Sequence, residues 1–314
     1  MEDFIKDYLS RSNVSSTYSE KNMISNVRRL ERLYDKPISE WNSYYDFEDT
    51  ESLILNLNAK FSYNTSIATL HGLLCWLNYV GAPPKLIQSY RQYLNDYVEI
   101  RNLYNYDNVL TEQQRKNWLD FPLLKKKVLS LNEHYLGGQH AFTKYRNYLI
   151  IALYVLGLPV RLGNYLDVKY ITEQHENPDT LPRTHNYICK GFDDKYTFIF
   201  NKYKTAKTIG QIIYKPDNVI LQRLITKWYA NYSNNPSLFL TNTQGQSMSQ
   251  TNLTNAITTT TQRLLNKEMT LNIIRQSFIT DFMKKEKTIK ERKKILKIIG
   301  QVYLPSTADL YVKI

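Results

Sequence analysis

The second half of the sequence contains several cationic side chains that could bind a phosphate group. Arg161 follows a long apolar segment and a Gly-Leu-Pro break, so we expect it at the turn into the next helix. An arginine there can present a planar fork of N–H donors to a phosphate. A surface arginine at a helix start is the alternative interpretation.

Lysines are concentrated in the segment FNKYKTAKTIGQIIY. If this segment is an extended strand, Lys202 and Lys204 share one face, because side chains of a strand alternate. A lysine near the tip of a hairpin can reach a DNA groove or donate a proton. The alternative is a solvated edge strand whose lysines prevent aggregation.

The segment TLNIIRQSFITDF predicts a helix with an apolar stripe. Asn272 and Arg275 lie three residues apart, so they occupy a face next to that stripe. Such a face could hold a phosphate beside a packed core. It could equally be the polar flank of an ordinary amphipathic helix.

The C-terminal segment IIGQVYLPSTADLYVKI contains Gln301 directly after a glycine and Tyr311 ten residues later. Ser306 and Asp309 have the spacing of a capping box, which predicts a short final helical segment around Tyr311. A tyrosine hydroxyl is a poor nucleophile unless cations surround it. The alternative role for Tyr311 is aromatic packing near the chain end.

The order of these residues resembles the catalytic domain of the tyrosine recombinases. That family's pattern is Arg, a hairpin Lys, His-x-x-Arg, Gly-His or Gly-Trp, and Tyr. The matching residues here are Arg161, Lys204, Asn272, Arg275, Gln301 and Tyr311. The resemblance covers the whole chain, since YNTSIATLHGLLCWLNYVG looks like the family's core-binding domain, which clamps DNA. The segments LTEQQRKNWL, LGLPVRLGNY and NKYKTAKTIG look closest to recombinases of large DNA viruses and mobile elements.

The resemblance implies a role for each matching residue. Arg161 and Arg275 would bind the scissile phosphate, and Tyr311 would attack it to give a 3′-phosphotyrosine. Lys204 would protonate the leaving 5′ oxygen, with Lys202 or Lys207 as the other candidates. The reaction needs no metal, ATP or other cofactor.

The sequence departs from the family pattern at several positions. Asn272 stands where the family usually has His, and Gln301 stands where it has His or Trp. Neither amide is a general base near neutral pH. Asn164 occupies the position where the family commonly has an acidic residue. Tyr303 is an alternative nucleophile, but it lies close to Gln301. The family's long tail after the nucleophile is expected to be missing or supplied by another segment.

The elements that must position these residues are mostly helices. Helical spacing of apolar residues predicts helices at about 21–34, 65–80 and 86–104, then at 142–158, 219–229, 249–265, 271–283 and 289–299. YTFIF and QIIY predict the two strands of one hairpin. The fold class is therefore mainly α with a small β-hairpin sheet. We expect a core-binding domain at 1–106, a connection at 107–124 and a catalytic domain at 125–314.

Composition narrows the class of partner. The formal net charge of +12 and pI of about 9.3 favour a polyanion. Two separated cysteines argue against a disulfide scaffold and a zinc site, and no apolar run is long enough to span a membrane. We therefore expect an intracellular protein, and the resemblance implies that a virus or a mobile element encodes it.

Double-stranded DNA is the expected partner. We expect the protein to be a homotetramer on DNA and a monomer or dimer when free. Arg28, Arg29, Lys202 and Lys207 are predicted DNA contacts. The basic run 284–297 fits a DNA-facing helix and a solvated face equally well. Two alternative functions remain open: a non-catalytic DNA-binding protein of the same fold, and a type IB topoisomerase or telomere resolvase.

Overall fold

The chain was analysed as a computed structural model, which describes residues 2–11, 17–41, 43–106, 110–131, 141–171, 180–191, 193–285 and 287–300. It divides into two compact units, residues 1–107 and 108–314. Within the described residues, no helix combines the length and the apolar character that a membrane crossing requires.

The first unit consists of helices. Its elements are α1 (Glu2–Arg11), α2 (Thr17–Tyr34), α3 (Thr50–Lys60), α4 (Tyr63–Tyr79) and α5 (Pro84–Tyr106), with short 3₁₀ turns at Ile38–Glu40 and Tyr45–Phe47. Local signals set the ends of several helices. The Asp49 side chain accepts a hydrogen bond from the Ser52 amide at 3.0 Å and so caps α3. Gly81, with a φ of +69°, ends α4, and Pro84 starts α5.

Helix α4 lies at the centre of this unit's core. Leu70, Leu73 and Leu77 are fully buried on it, and α4 packs against α1, α2, α3 and α5. Trp76, also on α4, meets Trp41 edge-on, with ring centroids 5.3 Å apart. The three helices predicted for this region are confirmed, and α1 and α3 join them.

The second unit combines helices with a small sheet. Its helices are α6 (Glu112–Asn117), α7 (Phe121–Leu129), α8 (Ala141–Val155), α9 (Ala206–Ile209), α10 (Val219–Asn231), α11 (Gln250–Leu265), α12 (Leu271–Lys284) and α13 (Ile289–Ile298), with a 3₁₀ turn at Leu162–Tyr165. Side chains of Asn218, Ser249, Thr270 and Thr288 cap the last four of these helices. Residues 148–155 of α8 are all buried, as its apolar sequence predicts.

Four strands form one sheet, in the order β1 (Val168–Ile171), β2 (Asn186–Lys190), β3 (Tyr196–Phe200) and β4 (Ile212–Tyr214). Strands β3 and β4 are antiparallel, with Phe198 opposite Tyr214, so the predicted hairpin is present. Strand β2 pairs antiparallel with β3, and β1 pairs parallel with β2. The sequence did not predict β1 or β2. The chain is thus mainly α with a small β-sheet, as expected.

Two local expectations differ from the structure. The connection predicted at 107–124 contains α6 and the start of α7. Its few apolar residues pack into the core, since Phe121 and Leu124 are buried. The Asn117 side chain also accepts a hydrogen bond from the Glu268 amide at 2.9 Å. Helix α12 is not a simple amphipathic helix, since most of its residues are buried.

Candidate active site

Arg161 stands where the chain leaves the buried helix α8. After Pro159 the backbone is extended at Arg161, which precedes the 3₁₀ turn 162–165. Its half-buried guanidinium donates from Nε to the Gly300 carbonyl oxygen at 3.2 Å. Within the described part of the chain, its two terminal nitrogens have no hydrogen-bond partner. The Nε contact therefore orients the fork of N–H donors and leaves that fork for a ligand.

Arg275 lies in the middle of α12 and is only 6% exposed. Its Nη1 donates to the Pro159 carbonyl oxygen, and its Nη2 donates to the Ile299 carbonyl oxygen at 3.1 Å. The two arginines therefore bind consecutive carbonyls, at 299 and 300. Burial raises the pKa of the nearby Tyr154 phenol above its usual range, and the charge of Arg275 partly offsets that rise.

Gly300 is the residue at which these contacts meet. It has a φ of +73°, a conformation that favours glycine, and its amide bonds to the Lys297 carbonyl oxygen at 3.0 Å where α13 ends. A Cβ at this position would lie 3.4 Å from Arg161 Nε. The carbonyl groups at the end of α13 carry the negative end of the helix dipole, which favours the two cations beside them.

The lysine segment reaches the same carbonyl through Thr205. The Thr205 hydroxyl donates to the Gly300 carbonyl oxygen at 3.3 Å. Lys204 directly precedes Thr205, so its backbone lies one residue from this contact. The condition under which Lys202 and Lys204 would share one face of a strand is not met, because residues 202–205 form a bend and a turn. All three candidate lysines, at 202, 204 and 207, are exposed.

The remaining predicted residues separate into described and undescribed ones. Asn272 is exposed in the first turn of α12, whereas Arg275, one turn later, is buried. Gln301 follows Gly300 directly in sequence, but Gln301, Tyr303 and Tyr311 lie outside the described residues. The structure therefore brings together Arg161, Arg275 and the turn that carries Lys204.

The hydrogen bonding of two buried side-chain amides near this site was not predicted from the sequence. Asn186 makes four hydrogen bonds, and Asn164 makes none with its amide in the described part of the chain, although only 1% of it is exposed. Asn186 and Thr205 were not among the residues singled out from the sequence, whereas Asn164 was. An asparagine before the apolar run YIC was the one available signal, since buried polar residues at strand ends are normally hydrogen-bonded.

Electrostatics make this region suited to an anion. Arg161 and Lys204 form no ion pair with any described residue, so no carboxylate in the described part of the chain neutralises them. The described residues also contain no grouping of three or more His, Cys, Asp or Glu side chains that could hold a metal ion. What the arrangement can do chemically is bind a phosphate through cations and N–H donors.

The predicted DNA contacts of the first unit lie on α2. Arg28 is exposed, and Arg29 donates to the side chain of Asn26, which is buried. Arg32 donates from Nε to the Arg28 carbonyl oxygen at 3.1 Å. With Lys21, Ile24, Ser25 and Glu31, the side chains of Arg28 and Arg32 line a shallow groove on this helix.

A solved structure resembles this chain, whereas the sequence comparisons find no relative. No family model matches the chain, and no curated protein matches it. Among solved structures, the crystal structure of XerA recombinase is similar, with a TM-score of 0.38 and 12% sequence identity, over 99% of this chain and 92% of that chain.

Proposed function

We propose that this chain is a DNA strand-exchange enzyme of the tyrosine recombinase type. One observation carries the proposal: Arg161, Arg275 and Thr205, which lie far apart in sequence, all donate to the carbonyls of residues 299 and 300. Those carbonyls immediately precede Gln301. The elements that meet there are the ones whose order resembles the family's catalytic pattern. The relation to recombinases of large DNA viruses and mobile elements rests on sequence segments alone.

The proposed reaction transfers a phosphoryl group between two oxygens. The Tyr311 phenol oxygen attacks the scissile phosphorus, and its proton passes to water or to a phosphate oxygen. The bond from phosphorus to the 5′ oxygen breaks, and that oxygen takes a proton from the Lys204 ammonium. Attack by a 5′ hydroxyl of another strand reverses these steps and rejoins the DNA without a cofactor.

The proposed role of the arginines is electrostatic. Arg161, with its terminal nitrogens directed by the contact to Gly300, supplies N–H donors to the phosphate as negative charge develops. Arg275 is held beside it by its bonds to the carbonyl oxygens of residues 159 and 299, so its positive charge is fixed near the same phosphate. Asn272 and Gln301 would donate hydrogen bonds rather than remove a proton.

The proposed partner is double-stranded DNA, bound by both units. The first unit would act as the core-binding domain, with Arg28 and Arg29 contacting phosphates, and the second as the catalytic domain with Lys202 and Lys207 as further contacts. Strand exchange between two duplexes requires four active sites, so we propose a homotetramer on DNA and a monomer or dimer without it.

One observation favours a second candidate, a DNA-binding protein of this fold without activity. Arg275 is buried, and both of its terminal nitrogens already donate to backbone carbonyls, which is a structural task. Together with Asn272 and Gln301 in place of histidine or tryptophan, this describes a site that binds DNA but does not cleave it. A covalent-trapping experiment separates the two candidates.

The trap uses a pool of nicked duplexes of randomised sequence, in which cleavage releases a short 5′-hydroxyl strand and prevents rejoining. We expect the wild-type protein to form an adduct that survives denaturation and that Tyr311→Phe abolishes. Tyr303→Phe is the matched control and should keep the adduct. Sequence-specific binding without any adduct would favour the inactive candidate. Relaxation of supercoiled DNA without sequence preference would instead favour a type IB topoisomerase.

A further inference from the structure

The side chain of Asn186, at the start of β2, uses its full hydrogen-bonding capacity. Its Nδ2 donates to the carbonyl oxygens of Asn164, at 3.0 Å, and Lys202, at 2.9 Å. Its Oδ1 accepts from the amides of Asn201, at 2.8 Å, and Lys202, at 2.7 Å. Only 3% of Asn186 is exposed. An amide has two N–H donors and two acceptor sites, so none is left over.

These four bonds join two segments of the candidate site. Asn164 belongs to the 3₁₀ turn that Arg161 precedes, and residues 201–202 begin the turn that carries Lys204. Because Asn186 captures the amides of residues 201 and 202, β3 ends at Phe200 and the chain turns. This contact is the physical reason why the lysine segment does not continue as a strand.

A second, smaller set of contacts supports the same turn. The Asn201 side chain donates to the His185 carbonyl oxygen at 2.9 Å and accepts from the Gln211 side chain at 2.8 Å. These bonds connect the two ends of the segment 201–211 to the residue before Asn186. The path of the backbone at Lys204 is therefore set by side-chain amides rather than by strand pairing.

We propose that Asn186 is a positioning residue, which holds the Lys204 turn against the Arg161 turn so that Lys204 reaches the 5′ oxygen that leaves. This inference rests on the proposed function. Only an uncharged amide supplies two donors and two acceptors at this point. Aspartate would lose both donors and introduce a buried charge, and serine would keep a subset of the bonds without a charge.

The chain offers a matched control for stability alone. Gln222 on α10 is also a buried side-chain amide that clamps backbone groups. It accepts from the Tyr196 amide at 2.8 Å and donates to the Pro216 carbonyl oxygen at 2.7 Å. It thus holds the beginning of β3, whereas Asn186 holds the chain just after the end of that strand. Loss of either amide should destabilise the sheet, but only Asn186 touches the Lys204 turn.

The test compares two DNA substrates of the sequence recovered by covalent trapping. One carries the natural 5′ oxygen at the cleaved bond, and the other carries sulfur in its place. A thiolate leaves without a proton, because the pKa of a thiol is far below that of an alcohol, so the sulfur substrate needs no general acid. Lys204→Ala defines the signature of a lost proton donor: slow cleavage of the oxygen substrate and near-normal cleavage of the sulfur substrate.

We expect Asn186→Ser and Asn186→Asp to slow adduct formation on the oxygen substrate about 100-fold, with the rate restored to within a few-fold of wild type on the sulfur substrate. Asn186→Ser guards against failure of the aspartate variant to fold. Gln222→Glu should slow both substrates equally, or neither. Equal slowing of both substrates by the Asn186 variants, or no slowing, would overturn the positioning role while the proposed function stands. Failure of the wild-type protein to trap any sequence from the randomised pool, before the two substrates are made, would overturn the proposed function itself.

Discussion

The two units hold their cationic side chains in different ways. On α2 of the first unit, Arg29 and Arg32 bond to residues three and four positions away on the same helix. In the second unit, Arg161 and Arg275 bond to backbone carbonyls 139 and 116 residues away. Local bonds leave a helix face that can follow a DNA backbone, whereas distant bonds fix a guanidinium at one point in space. The first arrangement suits affinity, and the second suits electrostatic preorganisation.

The most severe test of this comparison is Arg275→Ala. It leaves the carbonyls of residues 159 and 299 without their donors, so we expect a loss of about 4 kcal/mol in the free energy of unfolding and no covalent adduct. Chemical denaturation measures the first effect. Arg223→Ala, at an exposed position on α10, is the control and should change stability by less than about 0.5 kcal/mol. If both variants lose the same free energy of unfolding, the bonds of Arg275 to the two carbonyls stabilise the fold no more than an exposed arginine does.

The two buried asparagines of the second unit should respond in opposite ways to the same change. Asn186→Leu leaves four backbone groups unpaired, and we expect it to cost about 3 kcal/mol. Asn164→Leu removes an amide that has no partner among the described residues, so stability should be unchanged or increased. Thermal unfolding of both variants decides this. A large loss with Asn164→Leu would show that its amide has a partner of its own.

Arg161→Lys keeps the charge but removes the planar fork. We expect adduct formation to fall about 100-fold, since one donor of this kind contributes on the order of 2.7 kcal/mol to the transition state. Stability should fall by only about 1 kcal/mol, because one bond to Gly300 is lost. Trapping kinetics and denaturation are measured on the same preparation. A variant that cleaves at the wild-type rate would mean that positive charge alone suffices at this position.

Each unit also contains one cysteine that can report on it. Burial raises the pKa of the Cys189 thiol on β2 to about 11, and burial raises the pKa of Cys75 on α4 as well. A raised pKa keeps the thiol protonated, so at pH 8 the Cys189 thiolate should be about 100-fold scarcer than for an ordinary cysteine, and labelling should accelerate as pH rises towards 11. Mass spectrometry of alkylated peptides measures both sites. Asn186→Leu should accelerate labelling of Cys189 and leave Cys75 unchanged.

The smallest effect is expected on α2. Arg28→Gln should weaken DNA binding uniformly across sequences and reduce the slope of log affinity against log salt by about 1, without changing the cleavage site. Binding isotherms at several salt concentrations measure the slope. Lys60→Gln, at an exposed position on α3, is the control for the change in net charge. The same slope in both variants would mean that Arg28 contributes charge rather than a contact.

Local sequence patterns were sufficient for most of the helices, for the hairpin of β3 and β4 and for the order of the chemistry-bearing residues. Apolar spacing predicted the buried helix α8 and the helices α10 to α13, and β-branched and aromatic runs predicted β3 and β4, because each pattern is repeated within a few turns or residues. The order of arginine, lysine and arginine could likewise be read directly. Whether Tyr311 meets them stays a prediction.

Only the tertiary structure decided where those residues meet. Arg161, Arg275 and Thr205 donate to the carbonyls that follow α13, and Asn186 ends β3 at Phe200. Both arrangements depend on hydrogen bonds between segments distant in the chain. Such bonds leave no periodic pattern, since an asparagine has the same local preferences whether its amide is fully paired, as at 186, or has no partner among the described residues, as at 164. The identity of a side chain determines what it can bond to, and the fold determines what lies within its reach.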